Sequence, residues 1–185
     1  MKKVVVGLLM AGIFTACNSS SNTETEEAAE VNEASAHNFD MAKTSLTWTA
    51  FKTPDKVGVP GTFDEITLAG NSFEINTKSV NSNNELRDGK LVQFFFDNLS
   101  DSLITGSYGL AVDGVMPVTL KMNGIEKTVD FTVSESDTAT IVTGTIDILS
   151  DFSGNAALEA IAEACKELHL NKTWSDVSLK VIEMK

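Results

Sequence analysis

Short runs of alternating apolar and polar residues, separated by tight-turn dipeptides, constrain the fold of this chain more than any other feature. Alternation with a period of two is typical of β-strands that bury one face. Asp113-Gly114 and Asn123-Gly124 each lie between two such runs. These dipeptides are the strongest short-range signal for a β-hairpin. The chain therefore predicts a mainly antiparallel β-sheet.

Eight runs carry the strand pattern. They are Leu46–Phe51, Val57–Leu68, Phe73–Ile75, Ile104–Val112, Val118–Met122, Val129–Val133, Ile141–Leu149 and Val177–Ile182. Eight antiparallel strands joined by tight turns form either a sandwich or a closed barrel, and periodicity does not distinguish the two. The interior of an eight-stranded barrel is filled by side chains or holds one small ligand.

Two segments depart from the strand pattern and predict helices. Glu85–Phe96 has apolar residues at near-helical spacing, and Asn155–Leu170 has a clearer amphipathic pattern. Asn155 is the predicted N-cap of the second helix, and Asn171 is the predicted left-handed residue that ends it. Its predicted buried face consists of Leu158, Ile161, Ala162, Cys165 and Leu168. Cys165 is therefore expected to be a small buried hydrophobe rather than a nucleophile.

The first residues have the layout of a bacterial lipoprotein signal peptide. Lys2 and Lys3 precede the apolar run Val4–Phe14, and small residues lead to Cys17. Cleavage after Ala16 would leave Cys17 as the lipidated N-terminal residue. The alternative is an ordinary secretory signal followed by an unmodified cysteine. The apolar run is shorter than the roughly 20 residues that a membrane-spanning helix needs.

An acidic segment follows the predicted lipidation site. Residues 18–37 contain five glutamates and no lysine or arginine. They include too few large apolar side chains to offset the entropy of ordering, which predicts a flexible tether over residues 17–37. The sequence places the protein in the cell envelope, outside the cytoplasm. Asn18, next to Cys17, favours the outer membrane.

Charge and cysteine content narrow the classes of partner. The net charge of −12 argues against nucleic acid and predicts that the membrane is contacted through lipidated Cys17. After lipidation Cys165 has no partner for a disulfide. Together, His37, His169 and Cys165 supply too few ligands for a metal site of the His/Cys type. The sequence specifies no oligomeric state.

Three blocks of the sequence resemble the YceI-like family of extracytoplasmic lipid-binding proteins. The first is Leu46–Lys52 with Val59–Phe63, similar to the family's opening strands. The second is Asn84–Leu91 with Phe95-Phe96-Asp97, similar to the "ARDxHL…FFD" helix. The third is Leu120–Phe131 with Gly144–Asp147 and Ser150-Asp151-Phe152, similar to the "LTIHGVTKPVTL" hairpin and "GTI…SDFG". In order and spacing they cover nearly all of residues 39–185.

The resemblance implies a lipocalin-like, eight-stranded antiparallel β-barrel over residues 38–185, after the signal peptide 1–16 and the tether. It implies a lumen that takes a long isoprenoid chain, such as a polyprenyl phosphate or a quinone tail. This chain has Phe51-Lys52 where many members have a Lys-His pair. Its helix at Asn155–Leu170 replaces what is usually a short loop, and would cap the pocket or cover the sheet.

The aligned strands indicate which side chains would line the lumen. The predicted ligand-binding residues are Trp48, Ala50, Phe63, Phe73, Ile75, Leu120, Met122 and Phe131. Leu46 and Val129 belong to the same inward set, and Gly106 and Gly144 are expected to leave room beside them. The alternative is that these side chains fill the barrel completely and bind nothing.

Two basic residues are candidates for contact with a polar head group at the barrel mouth. Lys52 ends the first strand, and Arg87 lies in the first predicted helix. The forked donors of a guanidinium suit phosphate. The alternative for Arg87 is a local ion pair with Asp88 or Glu85, or a helix cap.

Catalytic patterns are few. The sequence contains no Gly-x-Ser-x-Gly motif, no phosphate-binding loop and no nucleophile paired with histidine. Asp147 and Asp151 are the candidate carboxylate pair for acid–base chemistry, and Asp151 is expected to cap backbone amides. The protein is therefore expected not to be an enzyme.

Two functions are consistent with these observations. The first is a lipid-anchored binding protein that holds an isoprenoid lipid or quinone in its lumen and needs no other cofactor. The second is an adhesion or scaffold lipoprotein whose filled barrel binds a protein partner and no lipid.

Overall fold

Ten strands form one curled antiparallel sheet in the computed structural model, which describes residues 37–185. The strands are β1 Thr44–Lys52, β2 Val57–Phe63, β3 Ile66–Ala69, β4 Ser72–Asn76, β5 Val80–Asn81, β6 Leu103–Tyr108, β7 Val115–Met122, β8 Ile125–Glu135, β9 Ala139–Asp147 and β10 Thr173–Met184. Their order in the sheet is β3-β4-β6-β7-β8-β9-β10-β1-β2-β5. The predicted signal peptide, Cys17 and the tether before His37 lie outside the described residues.

The sheet has ten strands rather than the predicted eight because two long strands each break at a corner. The predicted run Val57–Leu68 divides at Asp64-Glu65 into β2 and β3, and a 3-10 turn at Thr77–Ser79 separates β4 from β5. β2 pairs with β5 while β3 pairs with β4. The strands β2 and β3 form one arm of a bent hairpin, and β4 and β5 form the other arm. Because β2 pairs beside β1 and β4 pairs beside β6, this hairpin connects the two edges of the sheet. The antiparallel barrel that the family resemblance implies is thereby confirmed, with ten strands instead of eight.

Both predicted hairpin turns are present. Asp113 and Gly114 have φ of 53° and 78°, and Asn123 and Gly124 have φ of 53° and 73°. Positive φ at both central residues is the type I′ geometry, whose twist matches that of the flanking strands. The predicted strand Ile104–Val112 is shorter than expected, because β6 ends at Tyr108 and only an isolated bridge joins Val112 to Val115.

Helix α1 spans Glu85–Phe94 and helix α2 spans Asn155–Ala164. The Asn84 side chain caps α1 by accepting a hydrogen bond of 3.0 Å from the Arg87 amide. Within residues 37–185, no helix has the length and apolar character needed to cross a membrane.

The predicted limits of α2 are wrong at both ends. Its N-cap is Gly154 and not Asn155. A side chain at Gly154 would collide with Ile148, which explains the glycine at this position. The helix stops at Ala164 instead of Leu170, and Leu170 and Asn171 both have left-handed backbones, with φ of 52° and 61°. Asn171 therefore has its predicted conformation, but after a series of turns.

The buried face of α2 is correspondingly shorter than predicted. Ala157, Ile161 and Cys165 are buried one turn apart, as expected for a helix that packs one stripe against a core. The prediction that Leu168 is buried is wrong, since it is 65% exposed beyond the end of the helix. Cys165 is buried, as the pattern predicts.

Candidate ligand-binding lumen

The curled sheet and its two helices enclose two adjoining cavities, of about 160 Å³ and about 180 Å³. We call them the apolar chamber and the basic chamber. The side chains that line both, here called the waist, are Phe63, Ile104, Met122, Ile146 and Leu179. Because the two cavities share these five side chains, they lie next to each other inside the curled sheet, and we call the two together the lumen.

The apolar chamber has almost no hydrogen-bonding groups on its wall. Among the described residues, Thr44 and Tyr108 are the only lining residues whose side chains carry oxygen or nitrogen. The Tyr108 hydroxyl already donates a hydrogen bond of 3.1 Å to the Gly70 carbonyl. This chamber can therefore accommodate hydrocarbon but offers little to a polar group.

A segment before β1 closes the apolar chamber. We call His37–Met41 the strap, and its Phe39 and Met41 line the chamber. One carboxylate holds it: Glu183 accepts a hydrogen bond of 2.7 Å from the Asp40 amide and contacts His37 Nε2 at 2.5 Å. Burial raises the pKa of Glu183, but these hydrogen bonds lower that pKa more, so the carboxylate stays ionised at neutral pH.

The basic chamber lies at the opposite side of the waist, under the helices. Leu158 and Ile161 of α2, and Cys165 directly after it, line it. Of the two roles expected for helix α2, capping the pocket or covering the sheet, the structure therefore shows the first. The chamber also has four basic lining residues, Lys52, Arg87, Lys90 and His169, and among the described residues no carboxylate lines it.

All eight predicted ligand-binding residues line the lumen. Trp48 and Ala50 lie in the basic chamber, Phe73, Ile75, Leu120 and Phe131 in the apolar chamber, and Phe63 and Met122 at the waist. Leu46 also lines the apolar chamber. Val129 does not line either cavity and packs against the core instead. Binding of a ligand by these residues stays a prediction.

The expectation that Gly106 and Gly144 leave room in the lumen is wrong. The ring of Phe73 lies across Gly106, and the ring of Phe131 lies across Gly144, so that a side chain at either glycine would overlap an aromatic ring. Phe73 and Gly106 are direct cross-strand partners. The glycines therefore seat the rings that form the wall, as aromatic residues often cover a glycine on the neighbouring strand.

Arg87 has a different partner from the expected one. Its Nε donates to Ser82 Oγ at 2.7 Å and its Nη2 donates to the Ser82 carbonyl at 2.6 Å. The Asp88 carboxylate instead accepts from the Ser82 amide at 2.9 Å. Among the described residues Arg87 forms no ion pair with Asp88 or Glu85, so that alternative is wrong. A guanidinium has five N–H donors, and these bonds fix its orientation while leaving others available.

Sequence reasoning did not identify Lys90 and His169 as lining residues. Lys90 lies three residues after Arg87 in α1, a spacing that puts both on one helix face and could have indicated it. His169 lies beyond α2, where its Nδ1 is 2.8 Å from Thr173 Oγ1 and no periodicity gives its direction. Burial, and then the charges of Lys52 and Lys90, lower the pKa of His169, so its imidazole is neutral at neutral pH.

The candidate carboxylate pair, Asp147 and Asp151, has a structural role. Asp147 Oδ1 accepts hydrogen bonds of 2.9 Å from the amides of Leu149 and Ser150, and its Oδ2 accepts one of 2.6 Å from Ser175 Oγ. Burial raises the pKa of Asp147, but these hydrogen bonds lower that pKa by more, so the carboxylate is ionised at neutral pH. Asp151 caps the Asp147 amide at 2.8 Å, which confirms its predicted role.

Comparison with known proteins identifies the fold. No family model and no curated protein matches the sequence. A polyisoprenoid binding domain from Saccharophagus degradans, implicated in plant cell wall breakdown, matches with a TM-score of 0.59 and 19% identity, over 82% of this chain and 99% of that domain. Burkholderia cenocepacia BcnA matches with a TM-score of 0.53 and 16% identity, over 80% of this chain and 99% of that one.

A third solved structure carries the family name. The YCEI protein of Campylobacter jejuni matches with a TM-score of 0.50 and 20% identity, over 70% of this chain and 85% of that protein. At this level of identity the similarity establishes the fold. The described part of the chain has the YceI-like fold, as its three sequence blocks predicted.

Proposed function

We propose that this protein is an extracytoplasmic, lipid-anchored binding protein that holds an apolar, polyisoprenoid-type ligand in its lumen. The observation that carries the proposal is the pair of adjoining chambers with a nearly continuous apolar wall. A neighbour with the same fold is described as a polyisoprenoid binding domain, which supports this ligand class.

The size of the chambers supports occupation by a ligand. Protein interiors are normally close-packed, and a cavity costs about 24 cal/mol per Å³. A cavity of about 160 Å³ would thus cost about 4 kcal/mol if empty. A bound hydrocarbon chain removes that cost and adds about 0.8 kcal/mol for each buried methylene. A filled barrel that binds only a protein partner has no need of such space.

The direct test is native mass spectrometry and organic extraction of the protein purified from its own membranes. We expect a co-purifying lipid, released on extraction and accompanied by a lower melting temperature of the stripped protein. Protein that carries no lipid, and whose melting temperature is unchanged by added polyisoprenoid, would support the scaffold alternative.

Anchoring by Cys17 in the outer membrane is the second part of the proposal. It rests on the sequence, since a cleaved and lipidated cysteine supplies acyl chains strong enough to hold a soluble domain. The variant Cys17→Ser should leave the membrane fraction while keeping its melting temperature. If the processed variant stays membrane-bound, a protein partner or the domain surface holds it instead.

A further inference from the structure

We propose that the end of the domain at which the two helices lie docks on a phospholipid bilayer. The contact is made by Leu86, Leu168 and Leu170, which we call the leucine surface. The inference goes beyond the proposed function, because it assigns a contact on the outside of the domain and requires no ligand in the lumen. Its consequence is a fixed orientation of the domain on the membrane.

The exposure of the leucine surface is the first support. Its members are the three most exposed large apolar side chains in the part of the chain that the structure describes, at 85%, 65% and 63%. Single exposed leucines are common on soluble proteins, but a group of them marks a contact surface. These three form a group, because Leu86 directly precedes Arg87 and the other two flank His169, and Arg87 and His169 both line the basic chamber.

The backbone of Leu170 is the second support. Its φ of 52° lies in the left-handed region, which strains a bulky residue and suits glycine or asparagine. The next residue, Asn171, is of the suitable kind and has a φ of 61°. Leu170 therefore combines a strained backbone with an apolar side chain in water, and neither stabilises the isolated domain. Strain of this kind clusters at positions that serve function.

The charge around the leucine surface fits an anionic bilayer. Half of the lysine and arginine residues of the described part of the chain lie in the segments at this end, namely Lys52, Lys56, Arg87, Lys90, Lys166 and Lys172. Two of them, Lys56 and Lys166, pair with carboxylates. The other four form no ion pair within residues 37–185. Basic side chains next to a bilayer are attracted to anionic lipids, so this end can approach a surface that repels the rest of an acidic protein.

Trp174 is placed for contact with lipid head groups. Its Nε1 donates a hydrogen bond of 2.8 Å to the Thr53 carbonyl, which fixes the indole. The Nζ atoms of Lys172 and Lys56 lie 4.3 Å and 4.9 Å from its ring. Tryptophan and lysine are enriched at the boundary between lipid and water, where the lysine stem covers apolar surface and the charge reaches the phosphates.

The chain before the domain is long enough for this orientation. β1 runs from Thr44 in the apolar chamber to Lys52 in the basic chamber, so the strap and the leucine surface lie at opposite ends. The longest strand, β10, has 12 residues and spans about 40 Å. The chain from Cys17 to His37 can reach about 70 Å when extended. An anchor at Cys17 therefore allows the leucine surface to face the bilayer, with the strap facing away from it.

Vesicle flotation of the processed Cys17→Ser protein, which lacks acyl chains, tests the docking directly. The probes are phosphatidylcholine vesicles with and without phosphatidylglycerol. A single myristoyl chain, which has more carbon atoms than three leucine side chains, binds bilayers with a constant of only about 10⁴ M⁻¹. We expect half of the protein to float at about 1 mM lipid when phosphatidylglycerol is present. Binding this weak still lets the same variant leave diluted membrane fractions.

A double leucine variant and a matched control locate the contact. Leu168→Gln with Leu170→Asn should lower the affinity for vesicles by at least about tenfold, because two side chains lose their burial in hydrocarbon. Its melting temperature should stay the same or rise, since asparagine relieves the strain at position 170. Val112→Gln is the control, because Val112 is 57% exposed near the strap. It should bind vesicles as the wild type does.

Two further variants separate the lipid charge and the lumen from the docking contact. Lys172→Gln should lower the affinity about fivefold for vesicles that contain phosphatidylglycerol and leave phosphatidylcholine binding unchanged. Ala50→Phe, whose ring occupies the basic chamber, should float as the wild type does.

Four results would overturn the inference and leave the lumen function standing. The first is a wild type that does not float at several times the expected lipid concentration. The second is an equal loss of flotation in the control Val112→Gln and the double leucine variant. The third is loss of flotation in Ala50→Phe, which would mean that lipid uptake accounts for the signal. The fourth is a wild-type dimer that the double leucine variant disrupts, since a second copy would then occupy the leucine surface.

Discussion

The two chambers differ most in what closes them. The strap over the apolar chamber is a short segment before β1, held by one carboxylate, Glu183, and by contacts of Phe39 such as its edge-to-face packing on Tyr108 at 5.2 Å. Helix α2 and the residue after it close the basic chamber through Leu158, Ile161 and Cys165, of which Ile161 and Cys165 are buried. Segments with few buried apolar contacts open at lower free energy than core elements. We therefore expect the lumen to open at the strap while the basic end stays in place.

The largest expected loss of folding stability follows from a substitution in α2, the helix that caps the basic chamber. Ile161→Asp buries an unpaired charge and should destabilise the fold by about 3 kcal/mol or more, measured by urea unfolding. Leu168→Asp is the matched control because Leu168 is 65% exposed and should tolerate the charge. If Ile161→Asp unfolds at the same urea concentration as the control, α2 is as loosely held as the strap.

A second variant tests whether the basic chamber is open to a ligand. Ala50→Phe places a ring in the chamber and should abolish lipid co-purification, with a melting temperature close to that of the stripped wild-type protein. Thr47→Phe, which lines neither cavity, is the control of equal size on the same strand. A loss of about 1–3 kcal/mol in stability, in a protein that never carried lipid, would instead indicate a filled core.

Loss of the Glu183 carboxylate that holds the strap should cause a smaller, pH-dependent loss of stability. The pKa of Glu183 is lower in the folded protein than in the unfolded chain, so its stabilisation is present above the unfolded pKa and is lost as the pH falls through the folded one. Glu183→Gln should cost about 1 kcal/mol at neutral pH and remove this part of the acid dependence. It should also speed hydrogen exchange at the Asp40 amide.

The control for that variant is Glu135→Gln, an exposed glutamate that contacts Lys185 at 3.5 Å. Its exchange rates should match those of the wild type. Unchanged exchange at Asp40 in Glu183→Gln would mean that Phe39 and Met41, rather than the carboxylate, hold the strap closed.

The smallest effect concerns the thiol in the wall of the basic chamber. Cys165 should react slowly with an alkylating reagent in the folded protein and rapidly in urea, because it is buried under α2. Cys165→Ala should cost only about 1 kcal/mol. Rapid labelling under native conditions would place the opening of the lumen at the helix end rather than at the strap.

Local physics made much of the barrel predictable from the sequence. Period-two alternation put Trp48, Phe73 and Phe131 on one face of their strands, because a strand directs every second side chain to the same face, and the family resemblance identified that face as the lumen side. The Asp-Gly and Asn-Gly turns were predictable because positive φ at both central positions is a property of the dipeptide itself. The amphipathic stripe of α2 was predictable as far as Cys165 for the same reason.

The remaining features depended on contacts between distant segments, which no local pattern encodes. The N-cap of α2 is a glycine, Gly154, beside which Ile148 leaves no space for a side chain, and the long strands break where the barrel closes. Only the tertiary structure brought Lys52, Arg87 and His169 to one chamber, since periodicity gives the face of an element but not what lies across from it. The sequence by itself determined the strands and their inward faces, and the closure of the sheet decided where the charges meet.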